Sequence, residues 1–403
     1  MRPAKQSFRR WWQPPRRLAD REAERSVSFL ELFYDLIYVV IVAELAHALA
    51  LNLSWAGIGQ FAFLFVIVWW AWLNGSIYHD LHGNNDIRTR VFTFLQMGTV
   101  AAMAVFAHNA MGAGGVGFAL AYAAFQALLL YLWWRTGVHD PDHRPLSNRY
   151  SVGYLLATLL FVASAFLAAP NRHTLWILAT VLTLAMPLYL GNLGRHIPSI
   201  QAQIELSAQM SPSLLERFGL LTIIVLGEVL VATVQGVASQ PQLTWEVGLT
   251  AALGMLIAVG IWWFYFDAIA NHQPRSGRHV SLTWMFLHLP LTMGIVAIGA
   301  ALLNVIENTA VVVPPPARWL MVGGCSLVLL AIVLLLGITQ VPPERYPILL
   351  RARVVALAAM LLLIPLALFQ LGTIPLLLGI LSLLLAPVLT GVWLWIESLA
   401  PAR

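Results

Sequence analysis

A chain of 403 residues that is 60% hydrophobic and only 10% charged cannot clothe a water-facing surface, since soluble domains carry about 25% charged residues. The bilayer is therefore the solvent for most of it, and backbone groups in lipid must be satisfied internally, by helices or a closed barrel. The formal charge of +5 gathers in the N-terminal tail and in alternate loops, which argues against nucleic acid as a partner, and the single cysteine, Cys325, excludes an intrachain disulfide.

Residues 1–27 read as a basic cytoplasmic arm. Arg9-Arg10 is followed by Trp11-Trp12-Gln13-Pro14-Pro15, which lacks the apolar core of a signal peptide, and Asp20, Glu22 and Glu24 argue against a transit peptide. Such an arm is expected to lie near anionic headgroups. Apolar runs of spanning length then follow near 28–51, 55–77, 90–110, 115–136, 150–169 and 173–191. A cytoplasmic linker over 196–212 leads to six more, near 213–237, 245–268, 280–304, 318–338, 351–370 and 374–396. The fold class expected is an all-α integral membrane protein of about twelve transmembrane helices. With the N-terminus inside, all but Arg172 and Arg318 of the 23 Lys and Arg fall on the cytoplasmic side, as the positive-inside rule requires, and the C-terminus is inside too.

The runs repeat. Ser28-Phe29-Leu30-Glu31-Leu32-Phe33 opens the first and Ser213-Leu214-Leu215-Glu216-Arg217-Phe218 the seventh, followed by Glu44 and Glu228. Trp69-Trp70 and Trp262-Trp263 precede Asn74 and Asp267, and Phe94-Leu95-Gln96 aligns with Phe286-Leu287-His288. Two parallel six-helix repeats, 28–195 and 213–403, place the expected site at their interface.

The polar residues within these runs are the site candidates, because a carboxyl in the bilayer costs about 2.5–3.5 kcal/mol. Ser28 with Glu31, and Ser213 with Glu216, have the Ser-x-x-Glu spacing of a capping box, with Arg217 as an ionic partner for the glutamates. Asp35, Glu44, Glu228 and Asp267 lack a deep Lys or Arg, so they are expected to hold protons, to share them with His47, His108 or His288, or to bind a cation. His47, three residues after Glu44, faces the same side. Asn74, Gln96, Asp267 and His288 would orient substrate or relay protons.

Other motifs carry little. Gly112-Ala113-Gly114-Gly115-Val116-Gly117 matches G-x-G-x-x-G but lacks the preceding strand of a dinucleotide site. His139-Asp140-Pro141-Asp142-His143 reads as a hydrated turn, not a metal site. No nucleophile–base constellation, P-loop or zinc motif is present, so no catalytic residue, cofactor or metal is expected, and the chain does not read as an enzyme.

Glu31-Leu32-Phe33-Tyr34-Asp35-Leu36-Ile37-Tyr38-Val39, the run from Glu216-Arg217-Phe218-Gly219 to Leu226-Gly227-Glu228, and Leu287-His288-Leu289-Pro290-Leu291 resemble signatures of the bacterial low temperature requirement A family. Ser213-Leu214 departs from it, standing where relatives often carry a histidine. The resemblance implies a polytopic protein of the bacterial inner membrane and no particular chemistry. Phe33-Tyr34-Asp35 also resembles the Phe-Ser-Asp signature of the lysosomal-type potassium channels, although Gly219 or Leu220 stands where the second copy needs its aspartate. The leading expectation is a proton- or cation-coupled secondary transporter of a small substrate. A cation channel lined by the first and seventh helices, or a lipid-acting enzyme or assembly factor, are the alternatives. The lipid bilayer is the partner, and a homo-oligomer is compatible with the pattern.

Overall fold

The computed structural model describes residues 11–20, 25–270, 272–307 and 312–399, and among these every regular element is a helix. The chain order begins α1 Phe29–Leu51, α2 Trp55–His82, α3 Ile87–Ala107, α4 Gly115–His139, α5 Arg144–Ser164, α6 Asn171–Gly194 and a short α7 Pro198–Ala208. It continues α8 Pro212–Ala238, α9 Trp245–Tyr265, α10 Arg278–Glu307, α11 Pro315–Ile338, α12 Tyr346–Leu368 and α13 Thr373–Leu399. A π-helical turn, Phe266–Ala270, extends α9.

Local chemistry sets the helix starts. The Asp86 carboxylate accepts from the Thr89 amide at 3.1 Å at the head of α3, and the Thr244 hydroxyl accepts from the Val247 amide at 3.4 Å at the head of α9, each satisfying an amide the helix leaves unpaired. Among the described residues ten helices are long and apolar enough to cross a membrane. The other two long helices hold the extra charge: α1 carries Glu31, Asp35 and Glu44, and α5 opens with Arg144 and Arg149. At 1.5 Å per residue their 23 and 21 residues reach about 31–35 Å, enough for a hydrocarbon core of about 30 Å. The fifth run is displaced from its expected 150–169, because Pro145 sets the first turn of α5 and the polar stretch before it folds as its first two turns.

The chain divides into two compact units. The first comprises residues up to Leu45 together with Phe63–Arg217, and the second comprises Ala46–Ala62 and Phe218–Arg403. In the first, aromatic packing fills the core, with Tyr122 and Phe161 rings 4.4 Å apart and Trp176 fully buried. Gly75 admits the Tyr34 hydroxyl, which would lie 1.9 Å from a Cβ there, so α1 and α2 approach closely for want of a side chain. The expected linker 196–212 contains the helix α7, whose Ile200 and Ile204 pack on Leu146 and Leu190. Part of the basic arm is docked: the Gln13 amide donates to Asp86 at 2.9 Å, the Arg16 amide to the His82 carbonyl at 3.1 Å, and Asn84 to the Pro14 carbonyl at 2.6 Å. Its residues 1–10 and 21–24 lie outside the described chain. In the second unit, Gly294 of α10 and Gly324 of α11 face one another, each Cβ position 3.0 Å from the other's carbonyl oxygen.

Candidate functional site: a buried charge cluster and a lone carboxyl

In the first unit the site grows from the head of α1. Ser28 and Glu31 form a capping box: Glu31 Oε2 accepts from the Ser28 amide at 3.0 Å and hydroxyl at 2.8 Å, while the Glu31 amide donates to Ser28 Oγ at 3.3 Å. Arg25 donates to the other oxygen of Glu31 and reaches Ser213 Oγ at 3.5 Å. One turn on, Asp35 is fully buried and accepts from three donors: Trp72 Nε1 at 2.7 Å, Arg217 Nε at 3.0 Å and Arg217 Nη2 at 2.5 Å. Arg217, itself 0% exposed, also sits 3.9 Å from Glu31 and 5.4 Å from the centre of the Tyr34 ring. Tyr34 shares a 2.9 Å hydrogen bond with Tyr38.

This corrects the expectation that Asp35 has no basic partner. Arg217 is that partner, 182 residues away in sequence, held as a two-point ion pair that suits a planar guanidinium. The second capping assignment is corrected as well. The helix α8 begins at Pro212, one residue before Ser213, so the capping hydroxyl is that of Ser211, which accepts from the Leu214 amide at 2.9 Å and donates to Asp80. Glu216 is exposed and, among the described residues, accepts only a long contact, 3.4 Å, from the Val27 amide.

The remaining first-unit candidates disperse. Glu44 is half-buried, and His47, which belongs to the second unit, is exposed. Asn74 is buried and used structurally, donating to the Trp70 carbonyl at 2.8 Å and accepting from the Tyr154 hydroxyl at 2.5 Å. Gln96 is buried with neither amide atom hydrogen-bonded among the described residues. His143, in the turn before α5, is buried and bonded to Gln203 of α7 at 2.9 Å. No group of three or more His, Cys, Asp or Glu among the described residues is placed to hold a metal.

In the second unit, Glu228 of α8 is 5% exposed and its carboxyl makes no hydrogen bond or ion pair among the described residues. Its backbone lies against Gly299 of α10. His288 is fully buried in an aromatic cage, bonded to the Tyr265 hydroxyl and the Trp284 carbonyl at 2.9 Å each, with the Trp284 and Phe218 rings at 4.1 and 4.7 Å. Asp267 is not buried in the helix; it lies exposed on the π-helical turn and accepts from Trp263 Nε1 at 2.8 Å. The aligned tryptophans also differ: Trp69 and Trp70 are 3% exposed, whereas Trp262 and Trp263 are 46% and 38% exposed.

The sequence model of the bacterial low temperature requirement A protein, LtrA, matches residues 26–392, nearly the whole chain and all of the residues just described except Arg25. The chain belongs to the LtrA family. Among curated proteins it is similar to an uncharacterized protein, RA0937, of Rhizobium meliloti (strain 1021), with 27% identity over 288 residues and 68% of each chain covered. No solved structure matches. In this LtrA protein the two signature segments meet through Asp35 and Arg217. Reading each segment alone misses the pair, because Arg217 looks like a first-turn residue serving its own helix. It also misses Ser211, Asp80 and Trp72, none of which lies in a signature segment.

Proposed function

We propose that this membrane protein is a proton-coupled secondary transporter in which Glu228 is the proton-carrying group. One observation carries the reading: Glu228 is buried on a helix long and apolar enough to cross the membrane, with no partner for its carboxyl among the described residues. A carboxylate there is too costly to stand alone, and a bound proton or cation offsets the cost. Asp35 is a different case. Its charge is already matched by Arg217, so a proton binding there would have to break a two-point ion pair. Asn74 and His288 have their polar atoms committed to neighbouring groups and act as helix ties in this reading.

The test is a pH jump applied to proteoliposomes on a solid-supported membrane. Wild type should give a transient charge displacement as the buried carboxyl takes up its proton. Glu228→Gln, checked for a monodisperse elution profile, should lose that transient. An unchanged transient in Glu228→Gln removes the assignment, and a sustained current in wild type replaces the carrier with a channel.

A further inference from the structure

In the second unit a cleft of about 360 Å³ opens between the ends of α9, α12 and α13. Its walls include Trp263, Ile348, Val388 and Trp395, and two opposite charges line it, Asp267 and Arg345. Asp267 sits on the π-helical turn, where the extra residue per turn re-aims a side chain, a device concentrated at functional sites. Trp263 Nε1 holds one carboxylate oxygen at 2.8 Å, and the other has no partner among the described residues. Arg345 makes no side-chain hydrogen bond or ion pair among them either. The loops that follow α9 and α11 are tied together, with the Gln340 amide donating to the Gln273 carbonyl at 2.7 Å and the Arg275 amide to the Ile338 carbonyl at 2.9 Å.

Depth and charge together name the occupant. Trp262, Trp263, Trp393 and Trp395 cluster at these helix ends with 38–61% of their surface exposed, the position tryptophan takes at the headgroup level of a bilayer. A cleft at that level, apolar along its walls and carrying one free carboxylate oxygen and one free guanidinium, complements a zwitterion with an apolar tail. We propose that it binds a phospholipid whose headgroup carries a phosphate and a primary ammonium. The phosphate sits on Arg345, the ammonium donates to Asp267, and an acyl chain runs along Ile348 and Val388. A carboxylate oxygen selects an ammonium that has N–H bonds to give over a quaternary one. The site stands independently of the transport reading, because it uses neither Glu228 nor the proton.

Native mass spectrometry of the full-length protein, titrated with dioleoyl phosphatidylethanolamine, phosphatidylglycerol or phosphatidylcholine, reads the preference directly. Wild type should bind the ethanolamine lipid about tenfold more tightly than either of the others, the scale of one charge-assisted hydrogen bond. Asp267→Asn should erase that preference, and Arg345→Gln should weaken the ethanolamine and glycerol lipids alike by about tenfold. Gly391 lines the cleft, and a Cβ there meets no atom within 4 Å. Gly391→Leu should therefore fill the cleft and weaken ethanolamine-lipid binding without touching either charge. Equal binding of the three lipids by wild type overturns the proposal, as does a preference that survives Asp267→Asn. Free phosphoethanolamine competing as well as the lipid would also overturn it, since the occupant would then be a soluble headgroup. Should a charge variant fail to fold, undiminished ethanolamine-lipid binding in Gly391→Leu is decisive against the cleft, and weakened binding supports it.

Discussion

Asp35 in the first unit and Glu228 in the second are both buried carboxyls on helices of spanning length, and their surroundings are opposites. Asp35 receives three donors, two of them from a guanidinium that is itself without solvent contact. Glu228 receives none. Burial alone therefore does not mark a functional carboxyl. Charge that is matched in place behaves as structure, because removing either partner strands the other in a dry setting, whereas an unmatched carboxyl is free to exchange a proton.

The sharpest way to break the comparison is to remove Arg217. Arg217→Met leaves Asp35 buried and uncompensated, which should cost about 3–5 kcal/mol, read as a lower melting temperature and a smaller monodisperse fraction. Adding Asp35→Leu to it should recover much of the loss, since a buried pair is often replaceable by apolar residues together though not singly. A mild effect of the single change would mean that the pair is dispensable.

The next contrast sets the two carboxyls against each other. Asp35→Asn strands the Arg217 guanidinium and should lower stability by about 3 kcal/mol or more. Glu228→Gln should stay within about 1 kcal/mol of wild type, because a neutral amide is no harder to bury than a protonated acid. Melting curves of the two variants side by side decide it, and equal losses would abolish the distinction between them.

A smaller effect separates the two serines at the head of α8. Ser211→Ala should cost about 0.5–2 kcal/mol, the range for a lost helix cap, and Ser213→Ala should cost less. The reverse order in thermal melts would return the cap to Ser213. The smallest expected effect is a slope in pH. Burial pushes the His143 imidazole below its ordinary 6.5, with the Gln203 hydrogen bond and the Asp140 carboxylate opposing. The unfolded chain takes up that proton first as pH falls, so this contribution is intact above about pH 6.5 and is lost on acidification below it. Wild type should lose more melting temperature between pH 7.5 and 5.5 than His143→Asn, and parallel curves would show that His143 contributes nothing to the slope.

Much of the fold was legible because lipid leaves few choices. Long apolar runs had to become helices to satisfy their backbones, and among the described residues ten of the twelve runs are helices long and apolar enough to cross a membrane and the first and fifth are long helices carrying more charge, with boundaries displaced where proline or polar turns intervened, as at Pro145 and Pro212. The Ser28–Glu31 box was legible too, since its partners are three residues apart and local geometry alone brings them together. The pairing of Asp35 with Arg217 was not, because a sequence separation of 182 residues leaves no periodic trace, and the same arginine served equally well on paper as a neighbour for the glutamates.

The amino-acid sequence by itself determined that this chain is helical, that it lives in a membrane, and that its few intramembrane polar groups are the residues to watch. Those properties follow from composition and short-range periodicity, which every segment carries within itself. Tertiary structure alone decided which of those groups are matched. It gave Asp35 its guanidinium, left Glu228 and Gln96 without partners among the described residues, moved Asp267 out to the rim of a cleft, and set Arg345 on the same cleft. Electrostatic matching depends on distance in space and on exclusion of water, and neither quantity is written along a single helix.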